Sequence, residues 1–516
     1  MSKFLKGTII LLAAGLITRV LGFINRIVIA RFIGEDGVGL YMMVYPTLIL
    51  VVTITQLGLP VAISKNVAEA YAAGNQRKVK SILVVSLSTT LGLALVFTPL
   101  LYLLAPFLAE TLFNDRRTLV PMMAIAPIIP VIAVSSVLRG YFQGKQTMKP
   151  AAVSQVIEQV IRITLIAVLT KAFLPMGIEY AAAGAMLAGV IGELASLLYL
   201  LASFKWKKSF SLRNKFLQYI VKGKTTFEEL MQIALPTTGS RMIGSIAWFL
   251  EPIVVAQSLA LAGLTAVNAT KQYGVLTGFA LPLLMLPSFF TQSLSTSLVP
   301  AISEANASNQ KQKIDYLLQQ ALRFTFMTGG LAVIVLYALA EPLMTVMYGS
   351  TKGTTFILLM APFFILNYYQ GPLQAALQAL NLARAAMINS FIGAAVKTAV
   401  ILFLASRPEF GIYGVAIALI VGFVLVTMLH FATITKSIGF SIYVKDYAKM
   451  LAVIFLAGYA GTFLVKLNWT DSLVLMVAAD TIIISLLYLI LLFAFKLLKK
   501  EDIRRIPWIG PILTAK

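Results

Sequence analysis

This sequence predicts an all-α polytopic membrane protein of about fourteen transmembrane helices, on three observations. Of its 516 residues, 59% are hydrophobic and only 12% are charged, about half the charge of an ordinary soluble chain. The mean hydropathy is +0.89. The apolar residues also gather into runs of twenty or more, the length a helix needs to cross a ~30 Å hydrocarbon layer. The same figures exclude disorder and collagen-like repeats. With no cysteine and one histidine, His430, there is no disulfide framework, thiolate metal site or histidine cluster, and no cofactor is expected.

Taken in order, the runs and their breaks place spans at 7–33, 38–64, 81–105, 119–143, 150–172, 180–203 and 229–260. The rest fall at 273–299, 316–340, 354–379, 385–405, 411–435, 448–466 and 472–496. The first is no cleaved signal. Lys3 and Lys6 make a short basic start, but the apolar run outlasts a signal-peptide core.

The net charge of +22 comes from 42 Lys and Arg against 20 Asp and Glu. With the N-terminus inside, and cations at span ends counted with the adjoining loop, 27 fall at cytoplasmic segments, 8 on the opposite side and 7 within spans. That asymmetry orients a multi-pass protein with both termini cytoplasmic. The basic segments 205–227 and 499–516 read as a linker and a membrane-surface tail. They lack the aromatic interleaving of a nucleic-acid groove, so no nucleic-acid partner is expected.

A repeat divides the chain. Ser240-Arg241 with Gly244 in span 7 repeats Thr18-Arg19 with Gly22 in span 1, 222 residues on. Ala62-Ile63-Ser64 recurs as Ala301-Ile302-Ser303. Gln143 and Arg162 are answered by Gln378 and Lys397, both at an offset of 235. Gly177-Ile178 is answered by Gly411-Ile412. Five matches in one order predict an N-lobe at 1–204, the linker at 205–227 and a C-lobe at 228–440. Two extra spans (441–498) and the tail (499–516) follow. Six-span units of the same orientation are the architecture of an alternating-access transporter.

A charge inside a span costs ~2.5–3.5 kcal/mol and marks a functional place by default. Arg139 and Arg323 lie near cytoplasmic span ends and are expected to snorkel. Gly15, Arg19, Gly22 and Arg26 share one helix face, with the two guanidinium groups ~10 Å apart. Thr237, Arg241, Gly244 and Trp248 make the equivalent face of span 7. Glu158 and Arg162 stand at i, i+4 and read as a structural or coupling pair. Lys397 has no acid on its own face. Glu193, Glu251 and Asp480 are left as partners for these cations or as coupling sites. The cationic balance predicts an anionic substrate, since Arg forks match phosphate oxygens. Enzyme readings fail: Gly223-Lys224-Thr225 echoes a phosphate loop, but Gln218 replaces its first glycine.

Three segments carry a family resemblance: Thr18 to Gly34 (TRVLGFINRIVIARFIG), Gly58 to Lys65 (GLPVAISK) and Leu138 to Gly144 (LRGYFQG). Over essentially its whole length the chain resembles the polysaccharide-transporter branch of the multidrug/oligosaccharidyl-lipid/polysaccharide (MOP) exporter superfamily. The resemblance implies two lobes of six helices plus a final pair that forms a groove for a lipid tail. It implies a flippase for lipid-linked peptidoglycan precursors of the spore cortex, with the bilayer and cell-wall synthesis enzymes as partners. It implies that Arg19 touches a pyrophosphate. With Arg19, the substrate-binding candidates are Asn25, Arg26, Arg241, Trp248 and Lys397. Relatives usually have Arg-Asp where this chain has Asn25-Arg26. They also carry basic residues in spans 2 and 8, where 48–52 and 276–292 have none. A multidrug cation antiporter and a membrane scaffold for cell-wall enzymes are the competing functions.

Overall fold

A computed structural model describes residues 3–207, 216–439, 444–467 and 469–498. The tail expected at 499–516 and residues 208–215 of the expected linker lie outside them. The described chain is helical, with no strand among those residues. In order the helices are α1 (Lys3–Gln56), α2 (Leu59–Ala72), α3 (Gln76–Phe107), α4 (Leu119–Ile125), α5 (Ile128–Gly144), α6 (Met148–Phe173) and α7 (Ile178–Lys207). There follow α8 (Phe216–Val221), α9 (Lys224–Leu261), α10 (Ala266–Gly274), α11 (Leu281–Met285), α12 (Ser288–Ala307) and α13 (Lys311–Ala338). The last are α14 (Ala340–Tyr348), α15 (Thr354–Ala379), α16 (Ala383–Val400), α17 (Gly411–Ile438), α18 (Val444–Lys466) and α19 (Leu473–Ala494).

Twelve helices are long and apolar enough to cross a membrane, or thirteen when the bent pair Ala266–Met285 and Ser288–Ala307 is one span. The first is counted once, yet α1 has 54 residues, or ~80 Å of helix, and cannot be one crossing. It breaks at Gly34, whose φ of 62° and ψ of −168° lie outside the helical region. A side chain there would be strained, which is why glycine occupies the turn between the first two expected spans. Read this way, the count agrees with about fourteen. The bent pair is interrupted before Pro287, which cannot donate into the preceding turn, and its halves diverge by 55°.

By contacts the chain forms two compact units, 1–278 with 401–412, and 279–400 with 413–516. This grouping does not follow the sequence repeat: α9 and α10 lie in the first unit. In hydrocarbon, helices associate by close packing and polar contacts rather than by escape from water. The first unit shows both. Leu59, Ile63 and Val67 of α2 pack with Leu83 of α3, Tyr141 and Phe142 of α5, Leu200 of α7 and Leu230 of α9. Beside this core, Lys78 Nζ lies 2.5 Å from Glu229, and Thr53 and Ser245 hydroxyls meet at 3.0 Å. In the second unit the Tyr368 hydroxyl donates to the Leu284 carbonyl at 2.6 Å. The Tyr488 hydroxyl ties α19 to the Met327 carbonyl of α13 at 3.0 Å, and Arg323 donates to the Leu497 carbonyl.

At one end of the first unit, three connections are clamped by charge. Arg117 lies 2.8 Å from Asp115 and 3.4 Å from Asp36. Thr270 donates to Asp115 at 2.7 Å, and Gln257 donates to the carbonyls of Thr111 and Leu112. Burial by itself would raise the Asp115 carboxyl. Hydrogen bonds from Arg117 and Thr270, with the Arg117 charge, outweigh it and hold the group below its ordinary value. A depressed carboxyl contributes stability that is complete above the unfolded value of ~3.9 and disappears as pH falls through the folded one. The melting temperature of detergent-solubilised protein should therefore exceed that of Asp115→Asn at neutral pH. The two should converge on acidification below about pH 4. A gap independent of pH would remove this clamp from the account.

Candidate functional site

The side chains that build the site follow helical spacing. On α6, Gln155, Glu158, Gln159 and Arg162 lie at i, i+3, i+4 and i+7, one face. On α7, Gly189, Glu193 and Ser196 fall at i, i+4 and i+7. Gly192 lets the two helices touch, because a Cβ there would sit 2.8 Å from the Glu158 carbonyl oxygen. Arg139 comes from α5, and Tyr41 and Tyr45 from α1.

Four of these groups are charged, and they balance. Arg162 Nη2 donates to Glu158 Oε1 at 2.7 Å. Arg139 Nη2 reaches Glu158 Oε2 at 3.3 Å, both oxygens of Glu193 at 3.1 and 3.2 Å, and Ser196 Oγ at 2.9 Å. Their side chains are 3–19% exposed, so the attraction between them is little screened. The expectation that Arg139 snorkels out of the span is corrected here. Two acids within reach hold its head group inside, where pairing offsets the cost of burial.

Two cavities flank this quartet. One, of about 270 Å³, is lined by Tyr41, Tyr45, Gln56, Arg162 and Glu193 among others. The second, of about 290 Å³, is lined by Thr18, Arg19 and Gln155. Arg139, Glu158 and Gln159 line both and form the partition. Arg139 Nε, Arg162 Nε and Gln159 Oε1 are buried with no hydrogen-bond partner among the described residues. Unsatisfied groups at a cavity wall point to water or a ligand as their partner.

The other sequence candidates are placed as follows. Arg19 is exposed along α1 and lines the second cavity. Arg26 and Arg241 are exposed on α1 and α9, two helices of the same unit. Asn25 is buried with its side-chain oxygen unpartnered among the described residues. Trp248 packs edge-on against Tyr45 at 5.8 Å, so it touches a residue of the first cavity. Glu251 is buried against Tyr273. Ten residues of helix, ~15 Å of axis, separate it from Arg241. Lys397 and Asp480 belong to the second unit. The stem of Lys397 lies along Gly422. Asp480 is fully buried and accepts the Trp469 indole N–H at 3.0 Å, its second oxygen without a partner among the described residues.

Sequence reasoning passed over Arg139, Tyr41, Tyr45 and Gln159 as site residues and left Glu193 without a partner. One signal was available: apart from Lys171 at a span end, spans 4 to 6 together hold two arginines and two glutamates, a neutral set.

Comparison with known proteins agrees with this architecture. Residues 4–306 match the family described as polysaccharide biosynthesis protein, and residues 241–404 match MatE. The chain is 58% identical over 511 residues to stage V sporulation protein B of Bacillus subtilis (strain 168), covering 99% of each. The chain belongs to the polysaccharide-transporter branch of the MOP exporter superfamily. A second relative in this superfamily is the lipid II flippase MurJ of Bacillus subtilis (strain 168). It is 26% identical over 482 residues, covering 89% of this chain and 88% of that one. The solved structure of a lipid II flippase MurJ in an inward closed conformation superposes with a TM-score of 0.71. It is 16% identical and covers 95% of this chain and all of that one, a likeness of fold.

The MOP fold thus carries in this member a buried quartet whose loss should be costly. Arg139→Met leaves two acids without their shared partner and should destabilise the protein by about 3–5 kcal/mol, the range for breaking a buried pair. Adding Glu193→Gln should restore part of that stability. Thermal unfolding of the single and double variants checks this, and additive losses would show that the two side chains do not act together.

Proposed function

We propose that this protein is a flippase for an anionic lipid-linked saccharide, an undecaprenyl-pyrophosphate-linked peptidoglycan precursor destined for the spore cortex. Its similarity across 99% of its length to a stage V sporulation protein supports the setting. The cavity lined by Arg19 carries the chemistry. The Arg19 guanidinium has five donors in a planar fork suited to pyrophosphate oxygens. Thr18, Gln155 and Gln159 offer neutral donors and acceptors for sugar hydroxyls and amides. Arg26, Arg241, Asn25, Trp248 and Lys397 supply further contacts as access alternates between the two membrane faces. In this reading both termini face the cytoplasm, in the cell membrane or the membranes around the forespore. The two six-span repeats are the moving halves, the last two helices hold the lipid tail, and cell-wall synthesis enzymes take the product.

A second reading has one observation in its favour. The cavity with Tyr41 and Tyr45 also holds Glu158 and Glu193, and with Arg139 and Arg162 turned to these acids the aromatic faces suit an organic cation. A multidrug cation antiporter would confer dye resistance that Glu193→Gln abolishes.

The deciding experiment is gene deletion followed by analysis of undecaprenyl-linked precursors during sporulation. Accumulation of precursor on the cytoplasmic side is expected, and normal turnover sinks the flippase reading. Arg19→Ala should fail to complement while reaching the membrane in normal amounts. Arg19→Lys should complement partially, because a point charge cannot fork. Full complementation by Arg19→Ala would move the binding site elsewhere.

A further inference from the structure

The quartet is drawn more tightly than its hydrogen atoms allow. Arg139 Nη2 carries two hydrogens but lies within 3.3 Å of four acceptors on Glu158, Glu193 and Ser196. The Glu158 and Glu193 carboxyls both lie within 3.3 Å of that one nitrogen, which holds them close together. Two ionised carboxylates are acceptors only and repel at that distance. A proton on one of them supplies the missing donor and removes the repulsion.

The charges around the two cavities give that proton a use. Counting the charged residues described on the two cavity walls, Arg19, Arg139 and Arg162 stand with Glu158 and Glu193, a sum of one positive charge when all are ionised. A pyrophosphate diester carries two negative charges. Seated beside Arg19, it would leave the site one charge negative in a poorly solvated interior, where an uncompensated ion is costly. Uptake of one proton by the glutamate pair closes the balance. It also weakens the hold of the acids on Arg139, whose head group lines the Arg19 cavity as well.

We propose that Glu158 and Glu193 form a shared proton site, so that the anionic head group and one proton bind together, with Arg139 as the positioning residue between them. The proton is delivered from bulk solvent as hydronium: a hydronium O–H bond breaks as the carboxyl O–H bond forms, water is left behind, and one carboxylate becomes a carboxylic acid. The surrounding groups are accounted for. Helix α1 contributes Arg19, Tyr41 and Tyr45 to the cavity walls, with Arg26 acting on Tyr41 from farther along. Helix α5 contributes Arg139 and α6 contributes Arg162. Helix α4 and the 174–176 turn, also packed against α7, have no titratable side chain. No third carboxylate is described on the cavity walls.

This inference rests on the flippase reading, and one experiment separates the two. Full-length protein in lipid nanodiscs is titrated with undecaprenyl-pyrophosphoryl N-acetylglucosamine, whose diester charge is constant between about pH 6 and 8.5. Calorimetry in buffers of different ionisation enthalpy counts the protons. The wild type should take up about one proton per ligand over part of that range. Its affinity should rise there by up to about tenfold for each unit of pH lowered. Glu193→Gln should bind with little pH dependence and no proton uptake. Should that variant not fold, Glu158→Gln replaces it, and the wild-type proton count decides by itself. Arg19-dependent binding with no proton uptake and a flat pH profile throughout overturns the shared proton site and leaves the flippase reading standing. No binding at any pH, or binding unaffected by Arg19→Ala, overturns the flippase reading itself.

Discussion

Burying charge in a span is tolerable only with compensation, and the first unit is organised around that constraint. Arg139, Glu158, Arg162 and Glu193 come from three successive helices, α5, α6 and α7. None of the four has enough exposure to be solvated by itself. Their pairing sets how α6 and α7 must face each other, and Gly192 removes the side chain that would keep them apart. The cavities lie where these side chains meet α1, one at Tyr41 and Tyr45 and the other at Thr18 and Arg19.

A neutral quartet is a poor anion trap. Both of its arginines are already engaged with carboxylates. In the proposed reading the neighbouring cavity takes its anion through Arg19, which comes from a different helix and lines that cavity. The proposed division of labour is physical: the quartet builds the wall, and Arg19 meets the ligand. Solvent access also differs, since Arg19 is exposed whereas Glu193 is 3% exposed.

The clamp of Asp36, Asp115, Arg117 and Thr270 uses the same chemistry for another purpose. It joins the turn after Gly34, the segment before α4 and helix α10, elements far apart in sequence. Asp115 and Thr270 are as buried there as Glu193 is in the quartet, whereas Asp36 and Arg117 are partly exposed.

Sequence alone determined the helical membrane architecture, because hydrophobic length is a local property read one span at a time. It also determined the break near Gly34, the Glu158–Arg162 spacing and the family, which reside in short contiguous segments. Only the tertiary structure decided which charges meet. Arg139 and Glu193 are 54 residues apart, and their pairing depends on how α5 and α7 rotate about their axes. Arg241 and Glu251 are neighbours in sequence, yet helix rise separates them. Charge compensation in a membrane acts across helices, so it becomes visible only once the helices are packed.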